Sequence, residues 1–175
     1  AGTDLGAASA PYSRMLFNPE PMIVGGGGSA GSTNISIVPW LYSMNGSDKT
    51  SLTFATYDGS AGGNTGVRPL DISTECYNAP IVGSVADLSG AADDDNVRVA
   101  AANGHGDRIN VGSSTETMNS LLFIGRGGNL IQGNGGTLKI DSGMMGFYTH
   151  NNPMQVSVST IDFNGQEGVI GLHGD

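Results

Sequence analysis

The pattern of apolar positions along this chain predicts many short β-strands separated by glycine-rich turns. In the second half, apolar runs occupy residues 120–124, 137–140, 156–163 and 168–172, with Gly and Asn between them. Their spacing is close to one turn of known solenoid folds, which takes roughly 20–30 residues or somewhat less. The pattern therefore predicts a coil of short strands, stacked one rung on the next.

The first half contains further strand signals. Residues Leu52–Tyr57 (LTFATY) place Leu, Phe and Thr on one face and Thr, Ala and Tyr on the other, as in a half-buried strand. Val67–Leu70, Asn96–Ala101 and Arg108–Val111 are also β-prone. Because no stretch of about 12 residues shows a period of 3.6, the chain is predicted to be mostly β.

Two features favour parallel stacking. Leu121–Ile124 is apolar on both sides, which is typical of buried parallel strands. Asn-Gly pairs such as Asn134–Gly135 and Asn164–Gly165 suit corners with positive φ, although the same pairs also form hairpins. We predict an all-β fold, a right-handed parallel β-helix or β-solenoid with an irregular N-terminal segment. A β-sandwich or jelly roll is the alternative.

The sequence suggests a division into two parts. Residues 1–33 form an N-terminal arm or cap with a glycine-rich linker, and residues 34–175 form the solenoid. Prolines are concentrated near the start of the chain, at Pro11, Pro19, Pro21 and Pro39, where they suit turns and strand edges. Residues 1–24 could pack on their own subunit or on a neighbour, and the sequence leaves this open.

Composition and charge narrow the partners. The 175 residues include 29 glycines, only 13% are charged, and the net charge is −9. So few basic residues argue against binding to nucleic acid or to an anionic membrane surface. No apolar run approaches the roughly 18 residues of a membrane span. The acidic, lysine-poor composition is common among secreted bacterial surface proteins, so we expect an extracellular location.

The densest cluster of charge is Asp93, Asp94 and Asp95. Such carboxylates hold Ca²⁺ or split glycosidic bonds in some β-helix proteins. The cluster directly precedes a predicted strand, so a solvated turn also explains it, and this is the interpretation we favour. Arg98 is the basic residue closest to the aspartates, and we expect it to form a salt bridge. No catalytic motif is present, no cofactor other than Ca²⁺ is suggested, and we expect a protein that is not an enzyme.

The single cysteine, Cys76, cannot form an internal disulfide. We expect a small buried apolar side chain at this position. An intermolecular disulfide is the alternative.

Several stretches resemble the passenger region of bacterial autotransporter-type proteins. They are NISIVPW, LTFATYDG, GVRPL, DDDNVRV, TMNSLLFIG, GNGGTLKIDSG and VSTIDFNGQEGVIGLHGD, which together cover roughly residues 34–175. The resemblance is greatest to large proteins that carry the autotransporter-associated β-strand repeat. It implies a secreted β-helix at the cell surface, in which SLLFIG, GGTLKIDSG and IDFNGQEGVIGLHGD form successive rungs. Members are adhesins, matrix components or proteins without a known function.

Family chains are usually far longer, and this chain stops where a further rung is expected. We therefore expect a structural surface or matrix subunit that associates head to tail into a fibre or a layer. One alternative is a β-helix that binds or cleaves carbohydrate, and another is a fragment of a giant passenger domain. A groove with carboxylates and arginine would favour the enzyme, whereas a polar face with apolar ends would favour the scaffold.

Overall fold

The computed structural model describes residues 4–5, 12–44, 51–59, 66–100, 107–125, 130–149 and 153–174, which are almost entirely β. The strands are β1 (Asp4–Leu5), β2 (Tyr12–Ser13), β3 (Tyr42–Met44), β4 (Leu52–Asp58), β5 (Gly66–Pro69), β6 (Tyr77–Asn78), β7 (Ile81–Val82), β8 (Val85–Ala86), β9 (Asn96–Ala100), β10 (Arg108–Gly112), β11 (Thr115–Gly125), β12 (Leu130–Gly133), β13 (Thr137–Thr149), β14 (Gln155–Ser157), β15 (Thr160–Asp162) and β16 (Val169–Gly174). Over these residues, no helix is long and apolar enough to cross a membrane.

The strands from β6 onward form a β-solenoid of about three turns, in which parallel strands stack on three faces. Face 1 contains β8, β10, β12 and β14, and β7 closes it as an antiparallel edge strand. Face 2 contains the first parts of β11 and β13, followed by β15. Face 3 contains β6, β9, the second parts of β11 and β13, and β16. The predicted fold class is thus confirmed.

The strand register gives the length of one turn of the coil. Arg108 pairs with Leu130, and Met144 pairs with Val169, so each turn falls within the roughly 20–30 residues of known solenoid repeats. The apolar runs 120–124 and 137–140 are not equivalent positions of successive rungs, because the first lies on face 3 and the second on face 2. The expected spacing of one turn between these apolar runs is therefore wrong, although SLLFIG, GGTLKIDSG and IDFNGQEGVIGLHGD include parts of β11, β13 and β15, which are stacked in that order as expected. A turn passes along all three faces, and β11 and β13 each supply two of them, whereas β12, which supplies face 1, was not predicted.

Two of the predicted Asn-Gly corners are described by the structure, and both have positive φ. Gly135 (φ 87°) lies between β12 and β13, and Asn164 (φ 51°) and Gly165 (φ 74°) lie between β15 and β16. The corner prediction is therefore confirmed at these two places. The pairs at 45–46 and 103–104 lie outside the described residues.

The interior of the coil is a stack of apolar side chains from all three faces. Ile109 and Ile131 come from face 1, Leu138 from face 2, and Leu121 and Phe123 from face 3, and all five are fully buried. Alternation along a strand places every second side chain inside. The stacked register then brings each of these side chains onto its counterpart one turn away.

A second sheet covers the outside of face 3. Strands β3, β4 and β5 form an antiparallel sheet, here called the covering sheet. Its Leu52 and Phe54 are buried against Leu122 and Ile124, the outward side chains of β11. Strands β3, β4 and β5 were expected to belong to the solenoid domain of residues 34–175, but they form an antiparallel sheet beside the parallel faces of the coil. Leu52–Tyr57 was predicted to be a half-buried strand, but it is buried on both faces, because Phe54 packs toward the coil and Ala55 packs with Val38 and Val67.

Candidate functional site at the open last rung and the aspartate corner

The last described rung, formed by β14, β15 and β16, exposes side chains that belong to the interior stack. Ile170 and Leu172 are in register with Met145 and Phe147 of the preceding turn. Met145 and Phe147 are 0% and 3% exposed, whereas Ile170 and Leu172 are 50% and 78% exposed. Val156 is likewise exposed, although its partner Ile131 is fully buried. The apolar cross-section of the coil is therefore open at this end.

The backbone of this rung is open as well. β16 pairs with β13 on one side, and no strand of the described chain pairs with its other side. The same holds for β14 and β15. A bare strand edge presents N–H and C=O groups that can accept another strand. The open last rung combines such an edge with exposed apolar side chains.

Tyr42 of the covering sheet fixes this rung to the one before it. Its hydroxyl donates to the carbonyl oxygen of Met145 and accepts a hydrogen bond from the N–H of Gly171 at 2.9 Å. Burial raises the pKa of Tyr42, which keeps the phenol neutral and able to donate. Gly146 and Gly171 are register partners, and a Cβ at either would clash with the Tyr42 ring. Glycine at both positions makes room for the ring.

The predicted Ca²⁺ candidates lie at a corner of the coil, where Asp94 and Asp95 bind the N-terminal segment. Asp95 is buried and accepts hydrogen bonds from Thr33 Oγ1 at 2.5 Å and from a backbone N–H at 2.9 Å. Asp94 accepts a hydrogen bond from Asn34 Nδ2 at 2.8 Å, and Asp93 is exposed. Throughout the described residues, no group of three or more His, Cys, Asp or Glu side chains is placed to hold a metal. Ca²⁺ binding stays a prediction, and two of the three carboxylates have a visible structural role.

Asn96 extends this corner through successive rungs. Its Nδ2 donates to the carbonyl oxygen of Ile35 at 2.8 Å. Its Oδ1 accepts from Asn119 Nδ2 at 2.7 Å and from Ser120 Oγ at 2.8 Å. Ser142 Oγ in the next turn donates to the Asn119 carbonyl at 2.6 Å. This network was not predicted, although Asn96 at the start of the apolar strand β9 was a signal for it.

A buried ion pair, also missed, joins the covering sheet to the glycine-rich linker. Glu75 is 2% exposed and contacts the Arg68 guanidinium through two hydrogen bonds of 2.6 and 2.8 Å. It also accepts backbone N–H bonds from Gly31 and Asp71, both at 2.8 Å. Burial acts to raise the pKa of Glu75, but these hydrogen bonds outweigh it and leave the pKa below its ordinary value. The pair holds the linker against the sheet.

Arg98 and Cys76 lie under the covering sheet. Arg98 is 8% exposed, and its Nη1 donates to Asn78 Oδ1 at 3.1 Å. Cys76 is buried, as predicted, and burial raises the pKa of its thiol to about 11. A protonated, buried thiol is a poor nucleophile, so the structure favours packing as the role of Cys76.

These observations define the protein as a β-solenoid with an antiparallel sheet packed on one face and an open rung at one end. Comparison of the chain with models of protein families, with curated proteins and with solved structures finds no match.

Proposed function

We propose that this protein is a structural, non-enzymatic β-solenoid whose open last rung is completed by a second copy of the chain. The observation that carries the proposal is the exposure of Val156, Ile170 and Leu172, although their register partners are buried. Apolar area of this kind is stabilised by removal from water, at about 25 cal/mol per Å². A contact with a second open rung would remove it.

The two ends of the coil favour a closed dimer over a filament. At the other end, face 3 finishes in the two-residue strand β6, and face 1 finishes in the β7–β8 hairpin. Short strands and hairpins blunt a sheet edge. Head-to-tail stacking, which we expected from the sequence, needs matching edges at both ends. A dimer with a twofold axis needs only one kind of edge, because the open last rung of one copy contacts the open last rung of the other. In this arrangement β16 pairs antiparallel with β16 of the second copy.

Charge opposes this contact at low salt. The chain carries a net charge of −9, and Asp162 and Glu167 of the last rung are exposed. Repulsion between two such molecules is screened as ionic strength rises, with a Debye length of about 8 Å at 0.15 M. Association through the open rung should therefore strengthen with salt, as an apolar contact between like-charged molecules does.

The acidic composition, with 29 glycines and few charged residues, supports an extracellular surface or matrix location. A scaffold role is further supported by the polar outer surface of face 1, which combines with an apolar end. We include location and role in the proposal.

The test is sedimentation velocity of the chain over a range of protein and salt concentrations, with negative-stain imaging of the same samples. We expect a monomer–dimer equilibrium that shifts toward dimer as salt is added. Leu172→Lys places a charge in the open rung and should abolish the dimer. The matched control Val82→Lys changes a 66% exposed residue at the blunt end and should leave the dimer intact.

Each outcome of this experiment supports or overturns the proposed dimer. Filaments that both variants prevent would show head-to-tail stacking and overturn the twofold arrangement. A monomer at every concentration would overturn the proposal. Thermal denaturation of both variants establishes that they fold, and Ile170→Thr offers a milder change should Leu172→Lys fail to do so.

A further inference from the structure

Two adjoining depressions, here together called the groove, lie along face 1 and share Asn110. One part, of about 500 Å³, is lined by residues that include Val82, Leu88, Asp87, Asn110 and Glu116. The adjoining part, of about 440 Å³, is lined by Asn110, Gln132, Gly133, Asn134, Gln155 and Ser157. Asn110 belongs to both parts, so the groove crosses several rungs. Each part falls within the usual volume range of ligand sites, roughly 300–1,000 Å³.

The rungs repeat the same chemistry along the groove. Asn110 is in register with Gln132, and Gln132 is in register with Ser157. Neighbouring strands lie about 4.8 Å apart, so amide and hydroxyl groups recur at that interval. An amide presents both donors and an acceptor, and a hydroxyl presents either. This wall suits a ligand whose own hydroxyl groups recur at a similar spacing.

The blunt end of the groove adds apolar surface and carboxylates. Val82 is 66% exposed, and Leu88, which lines the same part of the groove, is half-buried against the interior stack. Hydrogen bonds from Ser89 lower the pKa of Asp87, so this carboxylate is ionised near neutral pH. Burial, with the nearby Asp93, raises the pKa of Glu116. Carboxylates accept hydrogen bonds from hydroxyl groups, and they repel phosphate, sulfate and uronate.

We propose that this groove binds a neutral polysaccharide chain laid across the rungs of face 1. Sugar rings offer hydroxyl groups at their edges and C–H groups on their faces, which match the polar wall and the apolar residues. Neither part of the groove is lined by an arginine or a lysine of the described chain, so an acidic polymer would lack a partner for its charge. The site is separate from the open last rung, and binding there needs no second copy.

The test is retention of the full chain on immobilised polysaccharides of three charge classes, with neutral xylan and glucan, acidic polygalacturonate and cationic chitosan as probes. We expect retention on at least one neutral polymer. The double variant Asn110→Ala/Gln132→Ala removes two neighbouring wall residues. Loss of a hydrogen bond of about 1 kcal/mol each corresponds to a loss of affinity of about tenfold or more.

Gln166→Ala is the matched control, because Gln166 is an exposed amide at the corner before β16. It should leave retention unchanged. Retention on chitosan or polygalacturonate alone would overturn the proposal, since a charged ligand would then be the partner. Retention on none of the polymers, or equal loss in the double variant and the control, would also overturn it. Sedimentation of the double variant should still show the dimer, which separates this test from the previous one.

Discussion

Face 1 and face 3 belong to the same coil and share its apolar interior, yet their outer surfaces differ. On face 3 the outward side chains Leu122 and Ile124 are buried under the covering sheet. On face 1 the outward side chains Asn110 and Ser157 are exposed. The apolar character of the inward side chains is therefore common to the whole solenoid. The character of the outward side chains depends on whether another sheet or solvent lies against that face.

The largest expected effect tests whether the covered wall is a true second core. Leu121 faces the interior and Leu122 faces the covering sheet, and they are 0% and 1% exposed. We expect Leu121→Ala and Leu122→Ala to lower the free energy of unfolding by similar amounts, about 2–5 kcal/mol each. Urea denaturation measures both.

Gln132→Ala, on the open wall, should change stability by less than about 0.5 kcal/mol. A small effect of Leu122→Ala beside a large one of Leu121→Ala would mean that the covering sheet is only loosely attached in solution.

The next effect concerns the ion pair that joins the linker to the covering sheet. Glu75→Gln leaves the Arg68 guanidinium without its buried carboxylate, and we expect a loss of about 2 kcal/mol at neutral pH. Glu75 has a lowered pKa, so its contribution is present above its unfolded pKa of about 4.3 and is lost as pH falls through its folded pKa.

Urea denaturation at several pH values measures this difference, which should shrink as the solution is acidified below about pH 4. Glu20→Gln is the matched control, because it makes the same substitution at an exposed glutamate and should change stability little at any of these pH values. A difference between wild type and Glu75→Gln that persists unchanged into acid would contradict the role given to the charge.

The smallest expected effect concerns Glu116 at the blunt end of the groove. Removing this charge should stabilise the protein, whereas removing the charge of Glu75 should destabilise it. Glu116 is in register with the buried Leu138, and burial together with Asp93 raises its pKa. Ionised Glu116 therefore destabilises the fold. This penalty is absent below the pKa of Glu116 in the unfolded chain, and stability is lost as pH rises through its pKa in the folded protein. Glu116→Gln should therefore be more stable than wild type at pH 7, by about half a kcal/mol or less because much of the carboxyl still faces water.

Thermal denaturation at pH 4 and pH 7 measures this effect, and the gain should disappear at the lower pH. Glu116→Leu, which matches Leu138 in the stack, should show a gain at pH 7 as well. A variant less stable than wild type at pH 7 would show that Glu116 makes favourable contacts as an anion.

Local patterns predicted the strands and the stacking, because alternation and two-sided apolar runs depend on neighbours in sequence. They did not predict that Leu122 and Ile124 pack under a different sheet. An apolar position indicates that a side chain is buried, but it does not indicate which element covers it. β12 was not predicted because it is short. Within it, only Ile131 is a strong strand signal, and Gln132 and glycines lie close to it in the sequence. Asp95, which we expected in a solvated turn, is buried, and Asp94 and Asp95 accept hydrogen bonds from the N-terminal segment. Their partners Thr33 and Asn34 are distant in sequence and depend on the tertiary fold.

Tyr42 also constrains the order of assembly. Its hydroxyl contacts Met145, 103 residues later, and Gly171, 129 residues later. During synthesis the covering sheet leaves the ribosome well before the rungs on which it packs. Its apolar side chains therefore stay exposed to solvent until those rungs have been synthesised. Contacts that span most of a chain slow folding, because the intervening loop is closed before they form. The coil can form rung by rung, whereas we expect the contact between Tyr42 and the last two rungs to form late, so the slow phase of refolding should change in Tyr42→Phe.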